Sequence, residues 1–193
     1  GWLKVCIGML FVTLGTGVGG SVIADWRLVA CAHGAGGELG HMVINRDEPE
    51  TCACGRRGCV QQDVSATGVV RVAKQFLAAH PVQPRSMRGA EKLTAKIVFD
   101  SAAAGDAAAQ AALETVYDAF GFFLAAGCTV SAPEAVVIGG GVSRAGAPLL
   151  EGARAGFLKY AFYPNRGIRF ALAALGNDAG IYGCCKLILD RFA

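Results

Sequence analysis

Apolar residues run almost unbroken from Leu3 to Leu14, pause at a glycine-rich turn, "LGTGVGG", and resume from Val18 to Ile23. This pattern predicts two strands joined by a turn, with a third short strand over Arg27 to Ala30 and a strand-like "MVIN" at Met42 to Asn45. From Ser65 the spacing changes to that of a helix, "SATGVVRVAKQFLAAH", which stops at the proline-rich "HPVQPRSMRG", a predicted surface loop. A second helical block spans about Thr94 to Thr129, with Leu113, Val116, Phe120, Phe123 and Leu124 on one face. Gly105 and Asp106 mark a break within it and an N-cap. "EAVVIGGGVSRAG" predicts a fully apolar strand, a glycine loop and a helix beginning near Ser143 or Ala145. A last strand over Ile168 to Ala173 and a capped helix, "GNDAGIYGCCKLILDRF", close the chain. Strands first, then alternating helices and strands, describe an α/β lobe with a mixed sheet.

The composition narrows the function classes. With 193 residues and 53% hydrophobic content the chain can bury a substantial core as one domain or one large lobe. Net charge is +3 and the basic residues are scattered, so nothing in the charge pattern asks for a nucleic acid. The apolar run from Leu3 to Leu14 is well short of the ~20 residues a membrane-spanning helix needs, and it lacks a signal-peptide cleavage pattern. A cytoplasmic location is therefore expected, with the eight cysteines as reduced thiols or metal ligands. The chain begins at Gly1 rather than Met, which leads to the expectation that something upstream is missing.

Four features carry candidate chemistry. In "LGTGVGG" the glycines let successive backbone N–H groups approach phosphate oxygens and Thr16 adds a hydroxyl, against the plainer reading of a β-hairpin turn. In "IGGGVS", Gly139, Gly140 and Gly141 leave room for a flat ring or a phosphate beside a helix start, against a tight strand-to-helix crossing. In "GGELGH", Glu38 and His41 could exchange hydrogen bonds with sugar hydroxyls, against a surface Glu and a capping His. Finally, His41, Cys52, Cys54 and Cys59 offer one imidazole and three thiolates, the usual donor set of a closed structural zinc site, against unligated thiols on a loop. Cys6, Cys31, Cys128, Cys184 and Cys185 lie in apolar or helical surroundings and are expected to fill the core.

Taken in order, "VTLGTGVGG", "HGAGGELGH", "CACGRRGCV", "SATGVVRVA", "PEAVVIGGGVS" and "LGNDAGIYG" resemble the ROK family of sugar kinases and repressors, most closely its bacterial glucokinase branch. The resemblance implies the C-terminal lobe of an actin-like ATPase (hexokinase or ribonuclease H-like) fold with a mixed sheet and a small zinc-binding loop over residues 40–61, the N-terminal lobe being absent from residues 1–193. It implies Gly15, Thr16 and Gly17 against the phosphates of ATP and its Mg2+, and Gly139, Gly140 and Gly141 along the adenosine. It implies Glu38 and His41 on sugar hydroxyls, a structural Zn2+ on His41, Cys52, Cys54 and Cys59, and a homo-oligomer when complete. The family's sugar-contacting glutamate is replaced here by Gln61, which keeps an acceptor oxygen but loses the charge. The family's general-base aspartate and first phosphate loop would both fall upstream of Gly1. The implied activity is transfer of a phosphoryl group from ATP to the 6-hydroxyl of glucose or a related hexose. A sugar-sensing repressor of the same family is the alternative.

Overall fold

A computed structural model describes residues 6–29, 32–33, 35–79, 87, 90–176 and 179–192. Its centre is one mixed five-stranded sheet, in which β1 (Met9–Leu14) pairs antiparallel with β2 (Val18–Ala24) and parallel with β4 (Ala135–Gly139). A two-residue β3 (Arg27–Leu28) extends the β2 edge, and β5 (Arg169–Leu172) runs parallel to β4, giving the order β3-β2-β1-β4-β5. The alternation of β1 sends Leu10, Val12 and Leu14 into the core, whereas all of β4 is buried. That difference follows from position: β4 lies between two parallel neighbours, where a continuous apolar run is what burial on both faces requires.

The helices α1 (Gln61–Val64), α2 (Ala66–Ala79), α3 (Ala95–Ala103), α4 (Ala107–Ser131), α5 (Ala147–Tyr160) and α6 (Ala179–Phe192) follow in chain order. Helix α4 is the hub, packing against α2, α3 and α5 as well as β1. Leu113, Val116, Phe120, Phe123 and Leu124 are all buried on it, as their spacing predicts, and the rings of Phe120 and Phe123 stack at 6.1 Å. Asp106 caps its N-terminus by accepting from the N–H groups of Ala108 and Ala109 at 2.9 and 3.1 Å. By length and apolarity α4 would suffice to cross a membrane, but half of its most apolar window is buried in the protein interior.

Several boundaries differ from the sequence reading. The first strand begins at Met9 rather than in the preceding apolar residues, of which 1–5 lie outside the described residues. "MVIN" is not a strand: its pairing with residues 58–60 amounts to one isolated bridge, Val43 to Cys59, because the residues between them fold mostly into turns. The glycine loop after β4 passes through a 3-10 turn, Gly141–Ala145, before α5 starts at Ala147 with Pro148 in its first turn, where a missing N–H costs nothing. Cys6 and Cys128 are buried as expected, but Cys185 is exposed. Cys31, the Cys184 side chain, the loop at 80–86 and the Asn177–Asp178 cap lie outside what is described.

Candidate nucleotide, sugar and metal site

The turn between β1 and β2 is held from below by the start of α2. Gly15 N–H donates to Gly17 O at 2.9 Å, closing the turn, and Ala66 N–H donates to Gly15 O at 2.8 Å. The Thr67 hydroxyl donates to Thr16 O at 2.9 Å and shares a second hydrogen bond with Ser65 Oγ, also 2.9 Å away. Ser65, fully buried, accepts from Gly68 N–H and so caps α2. Engaged by α2, the turn's carbonyls fix its shape.

The three glycines after β4 are not equivalent. Gly140 has φ 85°, and a methyl group there would meet the backbone of Leu14 at 2.5 Å, so only glycine fits. At Gly139 a methyl group would come within 3.1 Å of the Phe11 ring and 3.2 Å of Ala173. Gly141 instead faces open space, since a methyl group there would find nothing within 4 Å. The plain strand-to-helix reading thus explains Gly139 and Gly140, and the open space belongs to Gly141.

The loop from residue 42 to residue 60 folds back on itself so that His41, Cys52, Cys54 and Cys59 place one donor atom each within 4.8 Å of one another. Two features close it. Gly58, at φ 75°, approaches Asn45 so closely that any side chain would overlap its carbonyl, and Cys52 N–H donates to Arg56 O at 2.7 Å. Cys52 Sγ lies 3.9 Å from His41 Nδ1, and Cys54 Sγ lies 3.6 Å from Cys59 Sγ. The other imidazole nitrogen, Nε2, faces Glu38 Oε2 at 3.8 Å. The backbone N–H of Arg56 draws the Cys54 thiol down to about 6, while burial, reinforced by the neighbouring thiols, pushes Cys59 up to about 12. One thiolate is thus already favoured in a cluster of soft donors, the chemistry that suits Zn2+.

Two residue groups tie these parts together: Gln61, which the sequence places at the sugar, and Arg71 with its carboxylates, which sequence reasoning passed over. Gln61 opens α1 directly after the cysteine loop; its Nε2 donates to Cys52 Sγ at 3.1 Å and its Oε1 lies against Gly17. Behind it Arg71 of α2 binds Glu48 through two hydrogen bonds of 2.9 and 3.1 Å, pairs with Asp63, and donates through Nε to Gln62 O at 2.9 Å. Glu48 is 5% exposed. Burial lifts the Asp63 carboxyl above its ordinary value in spite of Arg71. A buried Glu in "RDEPE" and an Arg inside an apolar helix were the available signals; their pairing across 23 positions was not. A cleft of about 280 Å³ opens between the turn and the cysteine loop, lined by Thr16, Cys52, Gln61, Thr67 and Arg71 among others. Larger clefts of about 620 and 900 Å³ along α4–α5 and beside α2 contain none of the sequence-predicted site residues.

The contacts therefore form a continuous chain, Glu38 to His41 to Cys52 to Gln61 to Gly17, with Gly140 packed on Leu14 at the head of the same turn. The sheet order and this cluster of glycine turns define an α/β protein of the actin-like ATPase class. The chain matches the ROK family over residues 4–191 and belongs to that family. It is 38% identical over 179 residues to a glucokinase of Halalkalibacterium halodurans, covering 91% of this chain and 54% of the relative. A xylose repressor of Caldicellulosiruptor bescii is 27% identical over 192 residues, covering 98% of this chain and 47% of that protein. Among solved structures, a ROK family glucokinase from Streptomyces griseus in complex with glucose and AMPPNP superposes with a TM-score of 0.84 at 29% identity, covering 94% of this chain and 60% of that one. The chain thus spans about half the length of the curated relatives it matches.

Proposed function

We propose that this chain carries part of the site of an ATP-dependent hexose kinase of glucokinase type, which phosphorylates the 6-hydroxyl of glucose or a close relative. The observation that carries the reading is the contact chain from Glu38 to Gly17, because it sets sugar-binding residue types directly beside a phosphate-type turn. In this reading the N–H groups of Gly15, Thr16 and Gly17 hold the phosphates and Gly139, Gly140 and Gly141 lie along the adenosine, with the open space at Gly141 admitting it. Bound Mg2+ neutralises charge on the transferring phosphate. Glu38 accepts from one hexose hydroxyl, His41 Nε2 addresses another, and Gln61 Oε1 is placed for a third. His41 Nδ1 with the thiolates of Cys52, Cys54 and Cys59 would hold a structural zinc, a closed set of four ligands without an open coordination position. Ligation at Nδ1 would fix the imidazole tautomer and aim Nε2 at the sugar.

Transfer also needs a carboxylate to accept the hydroxyl proton. In our reading that aspartate belongs to the upstream part of the protein, so residues 1–193 bind nucleotide and hexose without turnover. Hexose-dependent ADP formation from MgATP, followed by a coupled assay, tests this on the chain alone and on a protein extended upstream. Turnover by the chain alone overturns the assignment of the base, and its absence from the extended protein with every aldohexose overturns the kinase reading. A sugar-sensing repressor has no need of an open ATP site, and the free space at Gly141 favours the kinase.

A further inference from the structure

Gln61 faces two ways. Its amide nitrogen sits 3.1 Å from Cys52 Sγ, and its amide oxygen lies against Gly17, where an added methyl would come within 3.0 Å of it. A thiolate accepts but cannot donate, so the N–H face of the amide is the one that suits Cys52. A carboxylate in the same place would have no hydrogen to offer and would set a second negative charge beside the sulfur. The neighbouring Gln62 completes the arrangement by accepting from Cys59 N–H at 3.0 Å and donating to Glu50 O at 3.1 Å, which holds the start of α1 against the cysteine loop.

We infer that Gln61 is a positioning residue that supports the metal-ligand set through an N–H···S hydrogen bond to Cys52. The inference rests on the proposed zinc site. Partners that hydrogen-bond to ligand atoms typically change metal affinity 10- to 100-fold when removed. An amide N–H on a thiolate sulfur also withdraws charge from it, which moves the sulfur-to-metal charge-transfer band when cobalt replaces zinc. The side chain that stands where sugar recognition is expected is thereby held against the metal site.

The test uses the whole chain with zinc alone as probe. Metal content of the purified wild type is measured first, then zinc affinity by chelator competition for wild type, Gln61→Glu and Gln61→Leu, with circular dichroism to confirm that each variant is folded. Both variants are expected to lose about tenfold in affinity, Gln61→Glu more than Gln61→Leu, and to shift the cobalt charge-transfer band. A merely structural role would leave that band in place. Wild type that takes up no zinc overturns the metal reading and the inference with it. Wild type that binds zinc while both variants bind within about twofold of it, with an unmoved cobalt band, overturns the inference alone.

Discussion

Replacing Arg71 with alanine should be the most damaging single change near the site. Its guanidinium, 18% exposed, makes two hydrogen bonds to Glu48, an ion pair with Asp63 and a hydrogen bond to Gln62 O, and the two carboxylates it serves are only 5% and 15% exposed. Removing one partner of a buried, hydrogen-bonded charge set leaves the others uncompensated and costs about 3–5 kcal/mol. The cost is expected to depend on pH in a definite sense. Burial already raises the Asp63 carboxyl, and without Arg71 nothing opposes that rise. A carboxyl whose folded value lies above its unfolded value contributes stability at low pH and loses it as pH rises, so the deficit of Arg71→Ala should be larger at about pH 8 than at about pH 5. Urea denaturation of wild type, Arg71→Ala and Arg71→Ala with Glu48→Gln measures it. The double variant should recover at least about 1 kcal/mol, since the amide removes a stranded charge. A loss below about 1 kcal/mol for Arg71→Ala, or no recovery in the double variant, would refute the reasoning.

Two further expectations concern the turn and the α4–α5 surface. Thr67→Val removes the hydroxyl that donates to Thr16 O and partners Ser65; about 1 kcal/mol of stability should go, and AMPPNP affinity should fall several-fold in calorimetric titration. Asp118 accepts from Lys159 Nζ at 2.8 Å and Tyr160 OH at 2.7 Å, and these hydrogen bonds hold its carboxyl below the ordinary 3.8. A depressed carboxyl contributes stability above its unfolded value and loses it as pH falls through the folded one. The small advantage of wild type over Asp118→Asn should therefore be level at neutral pH and vanish under acid, as thermal melts at stepped pH would record.

How far the sequence reveals this molecule depends on whether an element is specified locally. Helix α4 and its Asp106 cap were legible because side-chain period and capping chemistry act within a few residues. Strand β4 was legible because burial between β1 and β5 demands the unbroken "AVVIG". The candidate metal residues were legible as a donor set with short spacings, and the structure brings all four together. "MVIN" misled because apolar residues of strand-like type pack against the core from a loop: Met42 and Ile44 are partly buried there, and no partner strand runs beside them among the described residues. Cys185 misled because a cysteine in an apolar helix can still face outward. Arg71 with Glu48, and Gln61 with Cys52, were invisible for another reason: such pairings join residues that only the folded chain makes neighbours.

In the proposed function the two glycine turns and the Glu38–His41–Gln61 group form one site for a nucleotide and a hexose. Amide chemical-shift mapping on the zinc-loaded chain tests it most directly, with glucose and Mg-AMPPNP titrated separately. Glucose is expected to perturb Glu38, His41 and Gln61, and Mg-AMPPNP to perturb Gly15 to Gly17 and Gly139 to Gly141. Saturable shifts confined to other residues, or none with either ligand, would contradict it.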